Sequence, residues 1–269
     1  MVNIALSGAL GRMGKVIAEL VKQREDCRII AGVDPAAPQR GEQVADHAGI
    51  PIYRKVSDLS ELQEKADVLI DFSHPSALPD LLTYCKIKNL ALVAATTGYN
   101  ESEVCDIKNA AAQIPIFFTG NMSLGINLLQ DLAKRAVRVL GGQFDVEIIE
   151  RHHNLKKDAP SGTALMLADS VNEEFGTASL TDKKRYVYDR HGTLAPRKKD
   201  EIGIHSVRGG TIVGEHEIVF AGHDEMITLS HTALSKEVFA VGAINAAIFL
   251  KNRPKGLYNM SNLLEVPNG

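Results

Sequence analysis

Residues 150–165, ERHHNLKKDAPSGTAL, bring two adjacent histidines, two adjacent lysines, an aspartate and a Ser-Gly-Thr into one short run. Histidine is the side chain that exchanges its proton near neutral pH, so His152 and His153 suit general acid–base work. Lys156, four residues past His152, carries a charge that holds an anion or delivers a proton to a developing amine. The following APSGTALMLADSV reads as a helix opening at a proline, with Ser161 or Thr163 as its cap. Such a helix start offers backbone N–H groups and hydroxyls to a carboxylate. The bland alternative is a solvated loop followed by an ordinary cap. The histidines come with no HxxxH or carboxylate spacing, so no metal site is read here.

A second constellation lies at the N-terminus, where SGALGRMG sets Gly8, Gly11 and Gly14 between a strand and a helix. Three glycines could simply make a tight turn. In this context they also let a pyrophosphate approach the backbone, and the helix N-terminus supplies free N–H groups and partial positive charge. The dinucleotide fingerprint further asks for an acid about 20 residues on, against the adenosine ribose. Asp34 stands there, closing RIIAGVD. A carboxylate repels a 2′-phosphate, which favours NAD(H), while Arg12 inside the loop keeps NADP(H) open. The two constellations need one another. Hydride delivery leaves an electron-rich atom to be protonated, and an anionic substrate must be held beside it.

The elements that position these residues follow from hydropathy patterning. VNIALSG, RIIAGVD, ADVLIDFS, LALVAATTG and IPIFFTG are strands that are apolar nearly throughout, alternating with helices over GRMGKVIAELVKQ, PSALPDLLTYCKI and SEVCDIKNAAAQ. That pattern implies a parallel sheet covered on both faces. After Asn121 the pattern changes. A long helix, LGINLLQDLAKRAVRVL, precedes a strand, FDVEIIERHH, and a polar stretch over 176–200 reads as loop or edge structure. TIVGEHEIVFAG and EMITLSHTAL alternate with period two, as antiparallel strands do. A last apolar helix, KEVFAVGAINAAIFLKN, is expected to pack back on the first domain. The expectation is an α/β chain of two domains: a dinucleotide-binding domain of residues 1–122 and 237–269, and a second of 123–236.

Composition narrows the function classes. The 269 residues are 45% hydrophobic and 23% charged, which is globular rather than disordered. With 30 basic against 33 acidic residues and no Trp, the chain offers neither a basic footprint nor a stacking surface for nucleic acid. No apolar run reaches the roughly 18 residues of a membrane helix. Cys27, Cys85 and Cys105 are odd in number and never in CxxC spacing, which argues against disulfides and fits a reducing compartment. With no leader read at MVNIALSG, the expected location is the cytoplasm.

Together these motifs resemble the 4-hydroxy-tetrahydrodipicolinate (dihydrodipicolinate) reductases of lysine and diaminopimelate biosynthesis. ERHHNLKKDAPSGTAL is close to that family's E-x-H-H-x-x-K-x-D-A-P-S-G-T-A run, and GALGRMG, ATTG, GNMSLGIN and GTIVGEHE match further blocks. The resemblance implies a Rossmann-type doubly wound parallel sheet plus a smaller α+β domain for substrate binding and oligomerisation, with a mixed, largely antiparallel sheet, in a homotetramer. It implies NAD(P)H-dependent reduction of a cyclic dicarboxylate after dehydration of its ring. His152 then resembles the acid–base residue and Lys156 the proton donor, while His153, Gly162 and Thr163 match contacts to substrate carboxylates. Gly8, Ala9, Leu10, Gly11, Arg12, Met13 and Asp34 match the nucleotide contacts. Ala95, Thr96 and Thr97, with Thr119, Gly120, Asn121 and Met122, match the nicotinamide side. Many relatives carry Gly where Ala95 stands and Phe where Met122 stands. Two rival readings are another two-domain NAD(P)-dependent reductase and an NAD-binding sensor without catalysis. The first lacks the His-His-x-x-Lys cluster, and the second would not keep both His152 and Lys156.

Overall fold

The computed structural model describes residues 1–38, 49–177 and 183–265. Residues 178–182 of the polar stretch and 266–269 of the first expected domain lie outside them. The chain divides into two compact units, Met1–Ser123 with Glu237–Gly269, and Leu124–Lys236.

The first unit is built on seven parallel strands: β1 (Val2–Ser7), β2 (Cys27–Val33), β3 (Ile52–Tyr53), β4 (Val68–Asp71), β5 (Ala91–Ala94), β6 (Pro115–Phe118) and β12 (Gly256–Tyr258). Every residue of β4 and β5 is buried, as strands covered on both faces require. The covering helices are α1 (Arg12–Lys22), α2 (Leu78–Lys88), α3 (Glu101–Ala110), α6 (Glu237–Leu250) and the short α7 (Met260–Leu264). Helix α1 buries Ile17, Ala18 and Val21, one stripe of a 3.6-residue period. Helix α6 packs on α1, β4, β5 and β6, so the chain that leaves this unit returns to it. The strand order, β12-β6-β5-β4-β1-β2-β3, runs outward in both directions from β1. Such a reversal leaves a crevice at the C-terminal strand ends, where doubly wound sheets take their ligands.

The second unit packs α4 (Leu124–Leu140) and α5 (Gly162–Thr177) on a five-stranded sheet. Its strands are β7 (Asp145–His152), β8 (Arg185–Val187), β9 (Glu201–Arg208), β10 (Gly214–Ala221) and β11 (Met226–Ala233), in the order β11-β10-β7-β9-β8. Strand β10 is antiparallel to both neighbours, whereas β7, β9 and β8 run parallel, so the sheet is mixed. The core joins Val146 and Ile148 of β7, Ile202 and Ile204 of β9, and Ile218 and Phe220 of β10 to Leu167, Val171 and Phe175 of α5.

Strand β9 is absent from the sequence reading, as are the two- and three-residue edge strands β3 and β12. The polar stretch contains β8 at the sheet edge, and Arg190 and Arg197 from that stretch are tied to the sheet through Glu147, Asp145 and Glu201.

Candidate active site

Strand β7 alternates inward and outward along its whole length, but its inward positions change character. Val146 and Ile148 are apolar; Glu150 and His152, next on the same face, are not. The neighbouring strands change at the same level. Ile218 of β10 pairs with Ile148, and His216 pairs with Glu150. On β9, Ile204 gives way to Ser206 opposite Glu150 and then to Arg208 opposite His152. One end of the second unit's core is therefore polar by register, and that polar end is the candidate site.

Glu150 is fully buried. Its Oε1 accepts from Arg208 at 2.7 Å and from the Ser161 backbone N–H at 3.1 Å, and its Oε2 accepts from Arg208 at 2.7 Å. His152 Nδ1 lies 2.6 Å from that same Oε2. Burial alone would favour the neutral acid. The Arg208 fork and His152 outweigh it and hold the carboxyl down at about 2. For His152 burial is the larger influence and lowers its pKa, against the upward pull of Glu150. His216 packs edge-on against His152, with ring centroids 5.2 Å apart, and its Nε2 lies 3.0 Å from Ser161 Oγ. Burial and the neighbouring His152 push His216 down to about 4.

Ser161 also caps α5, its Oγ accepting from Ala164 N at 3.1 Å. Pro160 therefore stands before the cap rather than in the first helical turn, and the cap is Ser161, not Thr163. Lys156 Nζ is 2.9 Å from Asp158 Oδ1, and the Gly162 backbone at the start of α5 adds the weakest of the downward pulls on the same carboxyl. Lys156, foremost, holds the Asp158 carboxyl below its ordinary range. A carboxylate thus already sits beside that lysine, just ahead of that helix. Of the buried side-chain nitrogens without a hydrogen-bond partner among the described residues, three belong to this neighbourhood: His153 Nδ1, His216 Nδ1 and Arg208 Nε.

In the first unit the glycine turn follows β1 directly. Gly8 has φ +79°, and a Cβ there would come 2.4 Å from Phe72 O. A Cβ on Gly14 would come 2.3 Å from Gly8 O, so α1 lies against the turn too closely for any side chain. Lys15 is the first α1 residue whose N–H finds its carbonyl, Gly11 O at 3.1 Å, which leaves the preceding N–H groups open. Asp34 stands one residue beyond β2, and its carboxylate accepts from Leu10 N and Ala36 N, each at 3.0 Å. Ala9 is buried, Leu10 and Met13 are half-buried, and Gly11 and Arg12 are exposed.

Beyond β5, Ala95 and Thr96 are buried and Thr97 is exposed. The Thr96 hydroxyl donates to Asp71 Oδ2 at 2.7 Å and accepts from Ser73 N at 2.9 Å. Beyond β6, Thr119 donates to Asn121 O at 3.3 Å, Asn121 accepts from Ser123 N at 2.8 Å, and Met122 is buried. The sequence reading gave no role to Glu150, Arg208 or His216, nor to Asp71, a buried carboxylate that Ser73, Thr96 and Tyr99 all address. Glu150 was accessible by its inward position in the β7 alternation. Arg208 and His216 depend on strand register, which a sequence does not display. Among the described residues no group of three or more His, Cys, Asp or Glu is arranged to hold a metal, and no helix is long and apolar enough to cross a membrane.

A glycine-turn parallel sheet with a second, mixed-sheet unit inserted before helix α6 defines a two-unit Rossmann-type architecture. Models of the dihydrodipicolinate reductase N-terminus and C-terminus match residues 2–122 and 125–264. The chain is 48% identical to the 4-hydroxy-tetrahydrodipicolinate reductase of Caldanaerobacter subterraneus subsp. tengcongensis, over 98% of this chain and 99% of that one. It is 44% identical to the Clostridium tetani enzyme of the same name, over 98% and 97%. Among solved structures, the dipicolinate-bound dihydrodipicolinate reductase from Paenisporosarcina sp. TG-14 superposes with a TM-score of 0.77 at 25% identity, covering 98% of this chain and 99% of that one. The chain belongs to the dihydrodipicolinate reductase family, whose members are oxidoreductases.

Proposed function

We propose that the protein reduces 4-hydroxy-tetrahydrodipicolinate to tetrahydrodipicolinate in lysine and diaminopimelate biosynthesis, using NAD(P)H, as a cytoplasmic homotetramer. The observation that carries the substrate class is Lys156 paired with the Asp158 carboxylate just ahead of the α5 N-terminus. An ammonium beside helix N–H groups is what a ring dicarboxylate requires. The relatives' names supply the particular dicarboxylate. His153, Gly162 and Thr163 complete the carboxylate contacts in this reading, and the second unit, 123–236, is the substrate-binding and oligomerisation domain.

Residues 1–122 and 237–269 form the dinucleotide-binding domain. The cradle left by Gly8 and Gly14, filled if either carried a Cβ, and the open N–H groups at the start of α1 fit a diphosphate. Residues Gly8 to Met13 hold it, and Asp34 takes the ribose hydroxyls, favouring NAD(H). Ala95, Thr96 and Thr97, with Thr119, Gly120, Asn121 and Met122, line the nicotinamide side. A bound reduced nicotinamide supplies the hydride. His152 and Lys156 then deliver the proton: His152 is the acid–base group, and Lys156 holds the anion and donates to the developing amine.

The test is oxidation of NADH, and separately NADPH, by the purified protein with substrate generated in the cuvette by the preceding synthase from pyruvate and aspartate semialdehyde. Synthase-dependent oxidation, faster with NADH and competitively inhibited by dipicolinate, is expected. No oxidation with either nucleotide, despite tight NADH binding, overturns the reading.

A further inference from the structure

His152 has two ring nitrogens, and the structure distinguishes them. We propose that Glu150 is a positioning residue whose Arg208-clamped carboxylate fixes His152 as the Nδ1–H tautomer, leaving Nε2 as the only atom that exchanges protons with a ligand. This rests on the reading of His152 as the acid–base residue.

An ionised carboxylate has no proton to donate, so at 2.6 Å the Nδ1–Oε2 contact requires the hydrogen on Nδ1. Arg208 donates to both Glu150 oxygens at 2.7 Å and the Ser161 N–H adds a third bond, so Glu150 cannot rotate to offer another face. The ring's other side is kept clear. A Cβ on Gly214 would lie 3.1 Å from His152 Nε2, so glycine at the start of β10 leaves that nitrogen uncovered. The other titratable groups around the ring are Lys156, Arg208 and His216. His216 turns its Nε2 to Ser161 rather than to His152. None of the three competes for Nδ1. The arrangement keeps the neutral ring poised with a bare Nε2, and it stabilises the imidazolium once Nε2 takes a proton.

The direct test reads the wild-type protein. Nitrogen-15 NMR of the labelled wild-type protein, with the His152 resonances assigned by their loss in His152→Gln, reports which nitrogen carries the hydrogen. Nδ1–H with an unprotonated Nε2 at neutral pH is expected, and an Nε2–H tautomer overturns the proposal. Glu150→Gln then separates positioning from scaffolding. The amide can donate to Nδ1 as well as accept, so the tautomers mix. Turnover is expected to fall on the order of 10²–10⁴-fold with KM little changed, and the limb of the pH profile set by His152 moves to lower pH because an anion has been lost. Glu150→Asp, which restores the charge, should bring that limb back in part. Altered thermal stability with an unchanged tautomer and an unmoved His152 limb would reduce Glu150 to scaffolding. The two readings fail separately. Near-wild-type turnover of His152→Gln removes the acid–base role while the wild-type spectrum still decides the tautomer. An Nε2–H spectrum removes the Glu150 role while synthase-coupled oxidation stands.

Discussion

Two buried histidines side by side make the second unit sensitive to acid. His216 titrates at about 4 in the folded protein against 6.5 for a free side chain, so between those values the unfolded chain binds a proton that the folded one does not. The stability this confers is complete above pH 6.5 and is lost as the pH falls towards 4. Glu150 works in the same direction at lower pH, from its ordinary 4.5 down to about 2. Urea midpoints measured from pH 7 downwards should fall, and His216→Gln should flatten the upper part of that fall by on the order of 1–3 kcal/mol. An unchanged slope in the variant would contradict the buried neutral His216. Asp34 invites a different substitution. Asp34→Ala should weaken NADH binding by about 10–100-fold and NADPH binding far less, read by fluorescence titration. An equal loss for both nucleotides would mean that Asp34 acts only through its bonds to Leu10 N and Ala36 N.

Ser161 joins three elements: its hydroxyl caps α5, its Oγ meets His216 of β10, and its N–H meets Glu150 of β7. Ser161→Ala keeps the last of these and loses the other two. Unfolding stability should drop by about 1–3 kcal/mol, measured by urea denaturation, and no measurable change would rule out the cap. The helices and strands around such junctions were readable wherever apolar spacing was unbroken. Strands β1, β2, β4, β5 and β6 are nearly continuous apolar runs, and β10 and β11 alternate cleanly. Hydropathy does not mark strand β9, because EIGIHSVR mixes Glu201, His205 and Arg208 among its apolar residues. Glu201 is buried there only because Arg185 and Arg190 reach it from the polar stretch. That compensation comes from residues distant along the chain, so hydropathy does not show it. Without β9 the parallel part of the second sheet, and Arg208 beside Glu150, could not be anticipated. The glycine turn, Asp34 and the His152–Lys156 run were readable because each depends on local spacing.

The proposed chemistry is divided between the two units, and the division makes the account separable by mutation. In this proposal nucleotide recognition falls to residues from Gly8 to Met122, and proton exchange falls to His152 and Lys156 of the inserted unit, with Glu150 positioning His152. Asp34→Ala should therefore change nucleotide affinity without moving the pH profile, and substitutions around His152 should do the opposite. The most direct measurement of the central claim is the synthase-coupled turnover of His152→Gln beside wild type, at saturating NADH. A fall in kcat on the order of 10²–10⁴-fold, with the NADH dissociation constant and the substrate KM largely kept, is the predicted result. Turnover equal to wild type would contradict it and remove His152 from the reaction.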